Sequence, residues 1–381
     1  MSEQAINRYV RNALKRELLI TVSAMALCIA PANVNTAKAD DGDHPTVWIE
    51  LGGQLETAIG TEAPFTPNFF SVYGYTAAIK AIEPHAQLGS HFTNGGEGSI
   101  SFEPEDSNWV FSAAALYGRS NTHIHVHQQT VHLEYEYIGP YHGFYPGDAK
   151  TADLVTKADQ SHAIIDFQAG RDVGLGLFGR DGSSTINAGV RFAQFASHAD
   201  ITIRARPDPH YHFWTFRYPA KFPIDYYQTY HAVDHASRSF RGIGPSLSWK
   251  GMSSILGEAN SGQLALDWSA NGAVLFGRQK ANIHHQTTGI YWAKLEPVHG
   301  HPTGFSTDYT NDKHLQRAHS VVVPDLGASV AFTYRIESFK VNVGYRGDFF
   351  FGAMDTGGDV ARKSNVSFYG PFATISIGLG G

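Results

Sequence analysis

Residues 326–351 read LGASVAFTYRIESFKVNVGYRGDFFF, and this stretch decides the fold. In 326–335, the residues Leu, Ala, Val, Phe and Tyr alternate with Gly, Ser, Ala, Thr and Arg. In 339–351, apolar and aromatic residues alternate with mostly small or polar ones in the same way. A period of two residues is typical of a β-strand with one apolar face and one polar face. The stretch therefore predicts two antiparallel strands joined by a tight turn at 336–338.

Similar alternation recurs along most of the chain. It predicts ten strands, at 47–58, 97–103, 109–119, 162–177, 184–197, 237–250, 263–276, 326–335, 339–351 and 371–380. The connections alternate in length: short ones lie at 104–108, 178–183, 251–262 and 336–338, and long ones lie at 59–96, 120–161, 198–236, part of 277–325, and 352–370. This combination is typical of an all-β transmembrane antiparallel up-and-down β-barrel with short periplasmic turns and long outer loops. If 69–80 and 123–137 are also strands, the barrel has twelve.

The N-terminus has the layout of a secretory signal peptide. Basic residues from Arg8 to Arg16 precede an apolar run from Leu18 to about Ala30, and Ala37-Lys38-Ala39 follows. The apolar run is shorter than the ~20 residues that a membrane-spanning helix needs. We expect residues 1–39 to be cleaved and residues 40–381 to form the barrel domain. The one cysteine, Cys28, lies in the expected signal peptide, so the mature chain contains no disulfide.

Composition agrees with export to the outer membrane of a Gram-negative bacterium. The net charge is −6, which does not favour nucleic acid as a partner. Trp48, Trp109, Trp249 and Trp268 lie near the short-turn end of the predicted strands, where an interfacial aromatic girdle is expected. A soluble β-sandwich would not require alternating loop lengths or aromatics at one end. The partners expected are therefore outer-membrane lipid, lipopolysaccharide and the barrel assembly machinery.

Three short segments add a resemblance: SNWVFS at 107–112, IGP at 243–245 and FYGPF at 368–372. These segments resemble those of pore-forming outer-membrane proteins of the Legionella major-outer-membrane-protein type. The likeness extends loosely from about Val47 to Gly381. It implies a β-barrel that forms a diffusion pore, and it implies no catalytic residues. The chain departs from the pattern of many such barrels because it ends in Ile377-Gly378-Leu379-Gly380-Gly381 rather than in an aromatic residue.

The predicted function is a porin-like channel for passive diffusion of small hydrophilic solutes or ions. Strand parity places nine charged residues on the lumen face: Glu50, Asp166, Arg191, Lys250, Asp267, Arg335, Lys340, Arg346 and Asp348. In a ten-stranded barrel such side chains can pair across the lumen and close it. The alternative is therefore a plugged structural or adhesive barrel that acts through long, His-rich outer loops. Twelve strands favour the pore, and ten strands with complementary lumen charges favour the plug.

No catalytic motif or cofactor-binding motif is present, so we expect neither an enzyme nor a bound cofactor. Histidine, with 20 residues, is the unusual feature, and the predicted strands place almost all histidines in the outer loops or at strand ends. Alternate residues of an extended segment share a face, about 6.6 Å apart, so His123, His125 and His127 are candidate ligands for Zn, Cu or Ni. Whether these histidines bind metal, respond to pH or only solvate the loops stays open, and so does the oligomeric state.

Overall fold

The computed structural model describes residues 47–60, 91–104, 107, 109–130, 133–138, 141–146, 150–173, 182–206, 224–258, 261–298 and 301–379. Chain contacts separate Met1–Asp43 from His44–Gly381, and the fold described below belongs to the second unit. The predicted signal peptide and the segment 69–80 lie outside the described residues. No helix in the described ranges is long and apolar enough to cross a membrane.

The strands form one closed antiparallel barrel and one small hairpin. Their bounds are β1 (Val47–Ile59), β2 (His91–Phe102), β3 (Trp109–Thr130), β4 (Leu133–Ile138), β5 (Tyr141–Pro146), β6 (Lys150–Asp172), β7 (Gly182–Arg206), β8 (Ile224–Glu258), β9 (Gly262–Val298), β10 (His301–Ile336), β11 (Phe339–Asp355) and β12 (Lys363–Leu379). The order around the barrel is β1-β12-β11-β10-β9-β8-β7-β6-β3-β2, and β4 pairs with β5 in a separate sheet. The predicted all-β antiparallel barrel of ten strands is confirmed. The alternative of twelve is wrong, because 123–130 continues β3 rather than forming a new strand.

An apolar belt, formed by outward side chains around the barrel, identifies the membrane-spanning part. On β10 the belt runs from Val322 to Tyr334, where every second residue is apolar and exposed, as at Leu326 and Phe332. At a rise of about 3.4 Å per residue this stretch covers about 40 Å of strand, or about 30 Å of membrane at a tilt of about 40°. That height matches the hydrocarbon core of a bilayer.

Six strands continue beyond the belt, and we call this part the strand extension: 120–130 of β3, 150–161 of β6, 198–206 of β7, 224–240 of β8, 279–298 of β9 and 301–320 of β10. The predicted loops 120–161, 198–236 and 277–325 are therefore wrong over most of their length. In the extension the outward face is polar, so apolar alternation ends. Hydrogen bonding between strands does not end there, and the inner face stays buried at residues such as Ile203 and Ala232.

Close packing of neighbouring strands explains two glycines in the short segments that carry the resemblance. A Cβ atom at Gly244 would lie 1.9 Å from the carbonyl oxygen of Val274, and one at Gly370 would lie 1.9 Å from that of Leu55. Both contacts are with the backbone of a neighbouring strand, so a side chain fits only if that strand shifts. Glycine at these positions therefore allows the strands to approach closely at the barrel wall.

Candidate functional site

The lumen contains the nine charged residues predicted from parity, and the structure connects most of them to partners. Arg191 on β7 is the clearest case. Its guanidinium makes two hydrogen bonds to the carboxylate of Asp166, at 2.8 and 2.9 Å. It also donates to Asp325 on β10 and, at 2.9 Å, to Asn271 on β9. One arginine thus connects β6, β7, β9 and β10. Its partner Asp325 was not selected by sequence reasoning.

Further lumen pairs lie on the other side of the barrel. Arg346 of β11 forms an ion pair with Glu97 of β2 at 2.5 Å. Glu50 of β1 accepts hydrogen bonds from Ser376 at 2.8 Å and from Asn342 at 3.3 Å. We call the Arg191, Arg346 and Glu50 groups together the polar layer.

The remaining predicted lumen residues have different surroundings. The Lys340 ammonium lies 3.7 Å from the centroid of the Trp48 ring, and the Arg335 guanidinium lies 5.5 Å from it. Trp48 therefore faces the lumen, and its predicted place in the interfacial girdle is wrong. Asp348 is buried. Asp267 and Lys250 lie on the lumen face of their strands, and Lys250 keeps contact with solvent.

Four phenylalanines form a second, apolar layer across the lumen, and we call it the aromatic layer: Phe195, Phe240, Phe350 and Phe368. Phe195 is at its centre, with ring centroids 5.6 Å from Phe240, 4.6 Å from Phe350 and 5.4 Å from Phe368. No member is more than 3% exposed. Residues of the same cluster, including Leu275, Val323 and Met354, surround these rings.

The aromatic layer crosses the full width of the barrel. Phe195 is on β7 and Phe368 on β12, and these strands are separated by four others in either direction around the ring. Beside them, the His162 imidazole stacks on Phe368 at 4.0 Å, and its Nε2 lies 3.0 Å from a carboxylate oxygen of Glu56. Side chains from opposite walls thus touch at the centre of the lumen. Sequence reasoning missed this layer, although all four phenylalanines have lumen parity.

The connection between β11 and β12 is held against the inner wall of the strand extension. Arg317 of β10 forms an ion pair with Asp355 at 2.9 Å and donates to the carbonyl oxygens of Gly357 and Gly358. Asp359 accepts hydrogen bonds from Lys313 at 2.6 Å and from His285 at 2.9 Å. Both hydrogen bonds lower the pKa of Asp359, to about 2, and the bond from Lys313 has the larger effect. Residues 355–359 therefore lie against the inner face of β9 and β10 within the strand extension.

The outward face of the strand extension is rich in imidazole and carboxylate groups. Asp200 lies directly opposite His235, which lies opposite His284, which lies opposite His314, so one row crosses β7, β8, β9 and β10. His235 Nδ1 is 2.7 Å from Asp200 Oδ1. Although burial alone would raise the pKa of Asp200, the hydrogen bond with His235 and the nearby charge of His198 lower it. These histidines lie in regular strands, so their predicted place in loops is wrong.

The predicted metal ligands His123, His125 and His127 lie on the same outward face, on β3. His127 Nδ1 is 2.7 Å from Asp153 Oδ1, and His125 Nε2 is 3.6 Å from the same oxygen. The hydrogen bond with His127 lowers the pKa of Asp153. Among the residues described, no group of three or more His, Cys, Asp or Glu side chains is arranged to hold a metal ion. Metal binding by this triad stays a prediction, and with two imidazoles and one carboxylate we expect it to be weak.

An open groove of about 760 Å³ lies further along the extension. Asp153, Arg204, Asp308 and His231 line it, and threonines, Ala205, Gly289 and Ile290 complete the lining. Since both signs of charge are present and the groove is open, its chemistry suits a hydrophilic ligand with several hydrogen-bonding groups.

No family model and no curated protein matches the chain, so the resemblance to the Legionella-type proteins stays a prediction. Among solved structures, the chain is similar to the outer membrane protease OmpT from Escherichia coli, with 9% identity, a TM-score of 0.43 and coverage of 89% of this chain and 99% of that one.

Two other barrels are also similar to the chain. The transport unit of the autotransporter AIDA-I from Escherichia coli has 10% identity, a TM-score of 0.26 and coverage of 94% and 97%. A deletion mutant of the monoaromatic hydrocarbon channel TodX has 8% identity, a TM-score of 0.23 and coverage of 88% and 91%. At these values the likeness transfers no activity to this chain, and the absence of enzymatic activity stays a prediction.

Proposed function

We propose that the protein is an outer-membrane barrel with a closed lumen, which acts at the cell surface through its strand extension. The observation that carries the proposal is the aromatic layer, in which Phe195 contacts Phe350 and Phe368 from the opposite wall. Close-packed, buried rings leave no continuous water path between them. A narrow barrel whose polar layer is also paired has the properties of a plug rather than those of a pore.

The apolar belt supports the outer-membrane location. A closed barrel satisfies every backbone hydrogen bond within the wall, which is the condition for crossing a bilayer with strands. The short turns then face the periplasm and the strand extension faces the medium. The protein should begin at Asp40, sediment with outer membranes and migrate differently in gels before and after boiling. Recovery in the soluble periplasmic fraction contradicts this location.

A porin-like channel is the second candidate. It is favoured by the charged lumen face and by Lys250, which keeps solvent contact inside the barrel. Passage of a solute then requires the aromatic layer to separate. This candidate also follows from the resemblance of the sequence to pore-forming proteins.

Liposome swelling separates the two candidates. Proteoliposomes of the mature protein in an isotonic sugar or salt solution should swell no faster than empty liposomes if the lumen is closed. The variant F195A/F350A/F368A removes three of the four rings and should swell faster, whereas F195L/F350L/F368L preserves most of the packed volume and should stay closed. Rapid swelling by the wild-type protein supports the pore instead.

The surface role is supported by the groove that Arg204 and His231 line. We expect a hydrophilic ligand, such as a sugar chain or a polar peptide segment, to bind there. Cells that display the protein can be tested on glycan and peptide arrays. R204Q/H231Q should lose the signal, and the matched variant K157Q/H198Q, outside the groove lining, should retain it. Equal signals from the two variants exclude the groove as the site.

A further inference from the structure

The first outward side chains beyond the apolar belt are cationic on two adjacent strands. Ile243 of β8 lies opposite Phe276 of β9, and both are exposed apolar residues of the belt. Two residues further along the strands, Arg241 lies directly opposite Arg278, and both are exposed. Two residues further again on β9, Lys280 is also exposed. The outward side chains thus change from apolar at Ile243 and Phe276 to three cations in the next two rows.

This arrangement is unfavourable in the isolated protein. Side chains directly opposite each other in an antiparallel pair are about 5 Å apart at Cβ, and diagonal neighbours are about 7–8 Å apart. Like charges at such positions repel each other. The structure therefore concentrates three positive charges where intramolecular contacts alone would disfavour them.

The flanking strands supply no negative charge to these cations. On β7, Gln194 lies opposite Arg241. On β10, Ser320 lies opposite Arg278, and Ala318 lies opposite Lys280. In the described part of the chain, none of the three cations forms an ion pair or a side-chain hydrogen bond.

Two other outward cations of the extension, Lys157 and Arg204, have a carboxylate at the facing position of the neighbouring strand. Lys157 lies opposite Asp200, and Arg204 lies opposite Asp153. Those cations lie further from the belt and have a carboxylate across the strand pair. Arg241, Arg278 and Lys280 differ from these two cations because no carboxylate faces them across a strand pair.

We propose that Arg241, Arg278 and Lys280 bind the phosphate of a phosphorylated glycolipid headgroup, of the lipid A type, in the outer leaflet. At the edge of the belt the headgroup lies beside the barrel wall, while its acyl chains pack on Ile243 and Phe276. The planar guanidinium groups match phosphate oxygens two at a time, and the lysine adds a point charge. Gln194 and Ser320 can donate hydrogen bonds to sugar hydroxyls of the same headgroup. The inference rests on the outer-membrane location proposed above and not on the closed lumen.

The test uses purified mature protein in a zwitterionic detergent. It is titrated with diphosphorylated lipid A, with the same lipid after removal of both phosphates, and with phosphatidylglycerol. The wild-type protein should bind the diphosphorylated lipid about tenfold more tightly than either of the others, since hydrogen bonds to charged groups contribute most to such binding. R241Q/R278Q should lose that preference. The charge-matched control K157Q/R171Q should change the affinity less than about twofold, because Lys157 lies further along the strand extension and Arg171 is exposed at the short-turn end of the barrel.

Folding of each variant is checked by the shift in gel migration on boiling. If R241Q/R278Q does not fold, the single variants R278Q and K280Q are used, and each should weaken binding of the phosphorylated lipid several-fold. Equal binding of phosphorylated and dephosphorylated lipid by the wild-type protein overturns the proposal. So do equal losses in the two double variants, or equal affinity for phosphatidylglycerol, which marks general attraction to anions. A separate fractionation tests the outer-membrane location, which is contradicted if the protein sediments with no membrane.

Discussion

Replacement of Arg191 by methionine tests the polar layer. The Arg191 side chain is 6% exposed and forms ion pairs with Asp166, which is 17% exposed, and with Asp325, which is fully buried. Methionine replaces the aliphatic stem of arginine but carries no charge, so two carboxylates remain without their cation. Loss of one partner of a buried ion pair costs about 3–5 kcal/mol. We therefore expect R191M to lower the free energy of unfolding by about that amount.

The assay is urea unfolding of the protein in detergent or lipid vesicles, followed by tryptophan fluorescence and gel migration. The triple variant R191M/D166N/D325N should recover most of the loss, because it removes the uncompensated charges as well. The exposed, outward Arg119 supplies the control: R119M should stay within about 0.5 kcal/mol of the wild type. Unfolding of R191M at the same urea concentration as the wild type refutes this prediction, and so does a triple variant that is no more stable than R191M.

Three more outcomes are expected. A nitroxide on G358C, where a Cβ meets nothing within 4 Å, should report an ordered 356–362 segment in the wild type and a looser one in D359N at neutral pH. Because the pKa of Asp359 is lowered to about 2, the ionised carboxylate stabilises the segment fully above the ordinary carboxyl range, and this stabilisation is lost as the pH falls toward 2. Loss of order already near pH 6 contradicts this. G244A should yield less gel-shifted barrel than G358A, since its Cβ meets the Val274 backbone at 1.9 Å. Zinc titrated by calorimetry should bind the wild type and H123A/H125A/H127A equally and only at tens of micromolar or weaker, because two imidazoles and one carboxylate make an incomplete site; nanomolar binding by the wild type alone contradicts that.

The membrane-spanning strands could be predicted from the sequence because lipid selects one face. At 263–276, 326–335 and 339–351, most outward residues are apolar and most inward residues are small or polar, which gives a period of two. The strand extension lacks this signal, since its outward face meets water. Strands such as β9, which runs to Val298, continue through backbone pairing and through packing of the inner face at residues such as Ile283, and the predicted strands ended where the outward apolar residues ended.

The lumen could be predicted only in part. Parity placed Arg191, Arg346 and the other charged residues on the inner face, but it does not show which side chains meet across a barrel. The aromatic layer was hidden for a second reason. Phe350 lies between Phe349 and Phe351 in an all-aromatic run, so its lumen parity does not stand out. The lumen parity of four large rings was the signal that could have identified the aromatic layer.

The most direct test of the closed lumen is the conductance of the refolded mature protein in planar lipid bilayers. With insertion verified by gel shift from the same vesicles, the wild-type protein should give no discrete conductance steps over a range of voltages and salt concentrations, and F195A/F350A/F368A should give them. Regular steps from the wild-type protein, with an ion selectivity that charge reversal at Lys340 or Arg346 changes, would contradict the account and assign the barrel as a pore.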